Sequence, residues 1–308
     1  MGDPGLRKAV ITGGTGLVGR RLAEVLLRQG AQVAVVSRTP GRARLPEGAR
    51  AISWEELPDQ MDGADAVFNL AGESLADGRW SPRRKAAIRD SRLEATRLVV
   101  DAMRRTARRP AVLVNASATG FYGPRGEDLI DETAPAGQGF LADVCRAWEG
   151  EAEAVRGLGV RLVKLRLGIV LARTGGALPE MARPVRLGLG CPLGSGRQGI
   201  SWIHLEDLVR LLLEAAADPA WEGSINATAP EPLSQEAFTR TLARELHRPV
   251  WPVPAFLTRL GTRLLLGEMA EALLLRGAYV LPRKALALGF AFRFGTLREA
   301  LADLLGRG

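Results

Sequence analysis

The stretch Thr12-Gly13-Gly14-Thr15-Gly16-Leu17-Val18-Gly19 decides the fold. A short apolar run, 8–12, stands before it. Behind it, residues 17–29 place Leu17, Leu22, Val25 and Leu26 near one face at helical spacing. Glycines at 13, 16 and 19 thus form G-x-x-G-x-x-G between a strand and a helix. Gly13 admits a tight turn, Gly16 lets backbone approach a pyrophosphate, and Gly19 lets the helix pack close to the sheet. The unpaired N–H groups and positive partial charge of the helix N-terminus then face the phosphates. A glycine triplet alone is only a tight turn. With strand, helix and N-terminal position agreeing, Gly13, Thr15, Gly16, Leu17, Val18 and Gly19 read as a dinucleotide cradle.

Working outward, apolar runs at 32–37, 66–70, 111–116 and 160–167 alternate with helical spacing at about 82–106 and 140–156. Strands alternating with helices and buried on both faces predict an α/β fold, a Rossmann doubly wound parallel sheet. After Gly168 the pattern changes. Residues 173–199 are rich in glycine and proline and read as a loop excursion. A helix at 205–217 and a strand at 224–227 follow, then helices at 234–246, between 255 and 276, and at 296–305. The expected organisation is a Rossmann domain over 1–169, with 205–228 returning to it. A smaller α/β C-terminal substrate domain then comprises 170–204 and 229–308. The substrate cleft is expected between them.

The end of the second strand selects between dinucleotides. A site for NAD usually places an acid there to hold the ribose 2′-hydroxyl. This chain has Ser37-Arg38-Thr39, with no carboxylate between Gln32 and Arg44. A guanidinium pairs bidentately with phosphate, so Arg38 suits a 2′-phosphate, with Ser37 or Arg42 assisting. NADP(H) is therefore favoured over NAD(H); the alternative is that Arg38 is one more surface arginine. Asn69-Leu70-Ala71-Gly72 ends another strand, where small residues leave room beside the adenine and ribose. Asn69 could instead tie two strands together.

Composition narrows the remaining classes. The 308 residues carry a net charge of +8, but lysine occurs only at 8, 85, 164 and 284, and the rest is scattered arginine. The densest group, Arg104, Arg105, Arg108 and Arg109, ends a helix, where cations complement the dipole. With no recognition motif, aromatic series or basic stripe, a nucleic-acid partner is not expected. No stretch approaches the roughly 20 apolar residues of a membrane span. Two cysteines make no disulfide framework, and two histidines make a zinc cluster improbable. Lys8 leads directly into the first strand without a leader pattern, so a cytoplasmic setting is expected.

The glycine loop, Asn69-Leu-Ala-Gly72, Ser117, Phe121-Tyr122-Gly123 and Ser201-Trp-Ile-His-Leu-Glu-Asp207 together resemble the short-chain dehydrogenase/reductase superfamily, in its extended and atypical branches. More closely, the chain resembles an NAD-dependent epimerase/dehydratase-like family with a C-terminal domain of unknown function, sometimes labelled cell-division-inhibitor-like. Gly72-Glu-Ser, Arg79-Trp80, Arg89-Asp-Ser-Arg92, Phe140-Leu-Ala-Asp-Val-Cys-Arg-Ala-Trp-Glu149, Gly194-Ser-Gly-Arg-Gln198 and Pro282-Arg-Lys-Ala285 carry that match.

The resemblance implies an oxidoreductase or epimerase acting on a small-molecule substrate of unknown identity, with a homodimer as the family-level expectation. The superfamily's proton relay uses Ser, Tyr-x-x-x-Lys and Asn, the lysine lowering the tyrosine's pKa. Here the serine matches Ser117, while Leu141 falls at the tyrosine, Cys145 at the lysine and Arg92 at the asparagine. Neither tyrosine begins a Tyr-x-x-x-Lys. Candidate replacements are Tyr122 as acid/base and Cys145 with a pKa lowered by Arg92, the alternatives being a buried ring and a small core residue. Arg92 and Arg89 could hold an anionic substrate or a cofactor phosphate. Glu73 and His204 could face the substrate, His204 otherwise being structural. The competing reading is an NADP(H)-binding sensor or scaffold without turnover.

Overall fold

The computed structural model describes residues 5–306 apart from residue 274. Seven parallel strands form the central sheet: β1 (Lys8–Thr12), β2 (Gln32–Val36), β3 (Arg50–Ile52), β4 (Ala66–Asn69), β5 (Val112–Ala118), β6 (Arg161–Leu167) and β7 (Gly223–Ala227). Their spatial order is β3-β2-β1-β4-β5-β6-β7. The order reverses direction beside β1, and a ligand crevice opens at such a switch point, beyond the carboxyl ends of the strands.

Alternation along each strand divides the core. Ala9 and Ile11 of β1, Ala66 and Phe68 of β4, and Val112 and Val114 of β5 face one side. Val10, Val67 and Leu113 face the other. On the first side lie α1 (Leu17–Arg28) and, later in the chain, a helix at Leu205–Ala217, with Leu22, Leu26, Leu208 and Leu212 packed inward. On the second side lie α2 (Leu57–Met61) and α3 (Pro82–Arg105), through Leu57, Met61, Val99 and Met103. Next in order come α4 (Phe140–Ala152), α5 (Leu178–Arg186), α6 (the Leu205–Ala217 helix), α7 (Gln235–Glu245), α8 (Ala255–Leu266), α9 (Glu268–Leu273), α10 (Arg283–Ala287) and α11 (Leu297–Leu305). Among the described residues, no helix is long and apolar enough to cross a membrane.

The structure differs from the sequence reading in three places. Residues 173–199 are not all loop, since α5 runs through them around an internal Pro184. Its Leu178, Ala182 and Val185 are buried with Trp202, Phe238, Leu242 and Leu301 in a separate core drawn from both sides of β7 in sequence. The glycines and prolines masked this short amphipathic stretch. The helix expected at 140–156 ends at Ala152, then tightens into 3-10 turns over Glu153–Leu158. Finally, β3 and α2 are too short for periodicity to reveal.

Candidate functional site

The glycine loop is built by close approaches that side chains would prevent. Gly13 has φ +69°, and a Cβ on it would lie 2.6 Å from the Leu70 carbonyl oxygen. The Gly16 amide donates to the Gly13 carbonyl at 3.0 Å and closes the turn. A Cβ on Gly19 would meet the Gly13 oxygen at 2.5 Å, so Gly19 packs against the loop backbone rather than the sheet. The glycine that lets the loop lie on the sheet is Gly14, whose Cβ would strike Val35 of β2 at 2.5 Å. At Gly16 a Cβ would meet only the Gly13 oxygen, at 3.3 Å, and otherwise open space. Gly16 is the N-cap of α1, with no side-chain cap and no acid in the first turn. That combination leaves amide donors and positive partial charge for an anionic ligand. Thr15, Leu17 and Val18 complete this turn, and the loop fits a pyrophosphate.

At the end of β2, Ser37 accepts from the Thr39 amide at 3.1 Å and shapes the turn presenting Arg38. The Arg38 side chain is 85% exposed and lies 3.6 Å from a Glu73 carboxylate oxygen. Glu73 also pairs with Arg84 of α3 at 3.3 Å. Its amide donates to Ser91 Oγ at 3.1 Å, which fastens the segment after β4 to α3. Glu73 therefore stands beside Arg38 at the crevice. Leu70, Ala71 and Gly72 lie between them and the glycine loop. Asn69 points inward. Its Oδ1 accepts from Thr12 at 2.6 Å, and its Nδ2 donates to Asn115 at 2.6 Å and Thr96 at 2.9 Å. That side chain joins β1, β4, β5 and α3.

Ser117, at the end of β5, donates to Glu149 of α4 at 2.7 Å. Glu149 receives two further bonds from Arg166, Nε at 2.8 Å and Nη2 at 2.9 Å. The Nη1 group of Arg166 donates to the Tyr122 hydroxyl at 3.0 Å, and Tyr122 donates to Asn226 of β7 at 2.7 Å. All five residues are buried. Burial pushes the Tyr122 hydroxyl pKa up against the pull of Arg166. Tyr122 thus sits in the interior with both hydroxyl functions paired. Cys145 is buried beside Ser117, Ala118 and Gly120, and burial pushes its thiol up to about 11. The nearby Arg92 charge lowers it by less than burial raises it. Leu141, one turn earlier on α4, packs against Gly120.

Arg89 and Arg92 diverge. Arg89 is exposed and paired with Asp90 at 2.7 Å. Arg92 turns inward over Gly72 toward α4, where Trp148 lies 5.3 Å away. His204 caps α6: its Nδ1 accepts from the Glu206 amide at 3.1 Å, and its ring stacks on Phe294 at 3.9 Å. Burial lowers its pKa, against an opposing effect from Asp303. His204 lines a 230 Å³ cavity with Leu17, Arg173 and Asp303, against the side of α1 that meets α6.

Sequence reading brought together the glycine loop, Arg38 and Gly72; it assigned Glu73 to the substrate, whereas the structure sets Glu73 beside Arg38. It did not see that Ser117, Glu149, Arg166 and Tyr122 form one unit. One signal was present: Arg166 lies in a strand expected to be buried on both faces, and a buried guanidinium needs an acid.

Residues 9–226 match the NAD dependent epimerase/dehydratase family, and residues 253–304 match a domain of unknown function, DUF1731. An Arabidopsis thaliana protein described as a chloroplastic homolog of epimerase family protein SDR39U1 is 40% identical over 304 residues, covering 96% of this chain and 86% of that one. Epimerase family protein YfhF of Bacillus subtilis is 37% identical over 301 residues, covering 96% and 97%. The crystal structure of human epimerase family protein SDR39U1 (isoform 2) with NADPH superposes with a TM-score of 0.85 at 32% identity, covering 96% of this chain and 98% of that one.

Proposed function

From a chain that belongs to the NAD dependent epimerase/dehydratase family, in an atypical short-chain dehydrogenase/reductase form with a DUF1731 C-terminal domain, we propose an NADP(H)-dependent, reductase- or epimerase-like protein acting on a small molecule. One observation carries the cofactor assignment. Arg38 stands at the end of β2, beyond the Gly13–Gly19 loop, and its sole charged contact among the described residues is the half-exposed Glu73. An exposed pair of this kind is worth little, so the guanidinium is free to exchange Glu73 for a 2′-phosphate. The NADPH bound to the human relative supports the same reading.

Bound NADP(H) would supply hydride transfer at its nicotinamide ring. The loop amides at the N-terminus of α1 would hold its pyrophosphate, and Arg38, with Ser37 shaping its turn, its 2′-phosphate. At Gly72, between these points and the end of β5, the Arg92 side chain occupies the volume a Cβ would take. Ser117 and Tyr122 are bonded to buried partners, and the Cys145 thiol keeps its proton near neutral pH. Any proton relay here must therefore differ from Ser-Tyr-Lys. Those three placements equally favour the alternative, an NADP(H)-binding sensor or scaffold without turnover.

Fluorescence titration tests the assignment. NADPH should bind at least tenfold tighter than NADH, and Arg38→Asp should reverse the order; equal affinities would remove it. A hydride-transfer screen over carbonyl and nucleotide-sugar substrates separates enzyme from sensor.

A further inference from the structure

Arg92 is the one arginine of its surroundings that faces inward without an acid. Three other arginines of α3 have one: Arg84 pairs with Glu73, Arg89 with Asp90 and Arg97 with Glu151. Arg92 instead donates Nη1 to the Ile88 carbonyl of its own helix at 2.8 Å. Its side chain lies across the end of β4 so closely that a Cβ on Gly72 would sit 2.9 Å from Cζ. The far side of the guanidinium approaches Trp148.

This environment desolvates the cation and lowers its pKa, more than Cys145 and the more distant, unbonded Glu73 raise it. The nearest sulfur, Cys145, stays a neutral thiol and offers no counter-charge. The carboxylate of Glu73 is taken by Arg38 and Arg84. A desolvated guanidinium without an ion-paired acid is costly, and its planar fork matches two oxygens of a carboxylate or phosphate. The position is also specific: Arg92 lies between the end of β4 and α4, on the Cys145 side of the crevice, whereas Arg38 stands beyond β2.

We propose that Arg92 anchors an oxyanion, a carboxylate or phosphate group, in the crevice between Gly72 and α4. The inference rests on the dinucleotide reading above for its placement beside a bound cofactor. Two sources share this chemistry: the nicotinamide-side phosphate of the dinucleotide, and an acidic group of the substrate. Gly72 is then glycine because the guanidinium needs the volume a methyl group would occupy.

Calorimetric titrations of wild type and Arg92→Gln with NADPH, with 2′,5′-ADP, and with malonate or inorganic phosphate added to the NADPH-saturated protein test this. The fragment 2′,5′-ADP keeps the adenosine phosphates and lacks the nicotinamide half. If the anion is the cofactor's, Arg92→Gln weakens NADPH at least tenfold and leaves 2′,5′-ADP within twofold. If it is the substrate's, both nucleotides stay within twofold, while malonate or phosphate binding to the saturated wild type falls at least tenfold in the variant. Unchanged binding of every probe overturns the proposal, as does equal weakening of all. Arg92→Lys keeps a charge without the fork and should lose at least threefold on the same probe; it also serves if the glutamine variant does not fold. Failure of wild type to bind 2′,5′-ADP would count against the dinucleotide reading, with phosphate binding to the free protein still reporting on Arg92.

Discussion

Ser117 donates its hydroxyl to Glu149 at 2.7 Å, and the same carboxylate is clasped by Arg166 through two bonds. Ser117 and Arg166 face each other across the β5–β6 register, and Glu149 reaches both from α4. The serine is thereby part of a buried ion-pair network that continues through Tyr122 to Asn226. Removing the acid should leave Arg166 buried and uncompensated. Glu149→Gln is expected to cost about 3–5 kcal/mol. Ser117→Ala, which leaves the ion pair intact, should cost about 1–3 kcal/mol. Urea denaturation measures both, and a serine variant as damaging as the glutamine variant would contradict this order.

The three motif glycines should fail in different ways. Gly13→Ala combines positive φ with a clash against Leu70, and Gly19→Ala clashes with the Gly13 carbonyl. Each should lower stability by about 1–3 kcal/mol. Gly16→Ala faces open space beyond one 3.3 Å contact and should keep its melting temperature while losing NADPH affinity at least tenfold. A Gly16→Ala protein with wild-type affinity would show that the cradle holds its ligand elsewhere.

Glu73 competes for Arg38. Glu73→Gln removes the competitor and a negative charge beside the expected 2′-phosphate. Because exposed pairs contribute about 0.2–1 kcal/mol, NADPH should bind up to about fivefold more tightly, with NADH little changed. Equal gains for both cofactors would separate Glu73 from the 2′-phosphate.

Acid should weaken the fold through His204. Burial holds its pKa below the ordinary 6.5, so the unfolded chain takes up a proton first as pH falls. Stability from the neutral ring, whose Nδ1 must accept from Glu206, is present above about 6.5 and lost below it. His204→Asn retains a capping side chain. Denaturation between pH 7.5 and 5 should show a shallower decline in that variant; parallel curves would exclude the histidine.

Cys145 gives the alkaline counterpart. Its thiol stays protonated to about 11 in the fold but ionises near 9 when unfolded, so stability falls as pH rises above 9. The slope approaches about 1.4 kcal/mol per pH unit for this one group. Cys145→Ala should remove that share of the decline. In native protein at pH 8, a thiol reagent should label the partly exposed Cys191 and spare Cys145 until denaturant is added.

The glycine loop, six of the seven sheet strands and the long α3 helix were legible because each is a local pattern. Turn chemistry or periodicity over a few consecutive residues suffices for them. β3, α2 and α5 were not legible, the first two being short and the third interrupted by Pro184. Arg38 could be placed from sequence because a residue following β2 must emerge at the carboxyl end of the sheet. The inward turn of Asn69 was one of two open readings, and the bonds to Thr12, Thr96 and Asn115 show where its side chain is committed.

By itself, then, the sequence determined the doubly wound scaffold and the position of the cofactor crevice. Both follow from local geometry and the strand-to-helix turn. Only the tertiary structure decided which polar groups are bonded to one another and which are left facing the crevice. Ser117, Glu149 and Arg166 lie 32 and 17 residues apart along the chain, and strand register with the docking of α4 makes them neighbours. Arg89 and Arg92, three residues apart on one helix, meet water and protein respectively. That difference belongs to the packing of α3 against Gly72 and Trp148, because desolvation depends on what surrounds a side chain rather than on what precedes it.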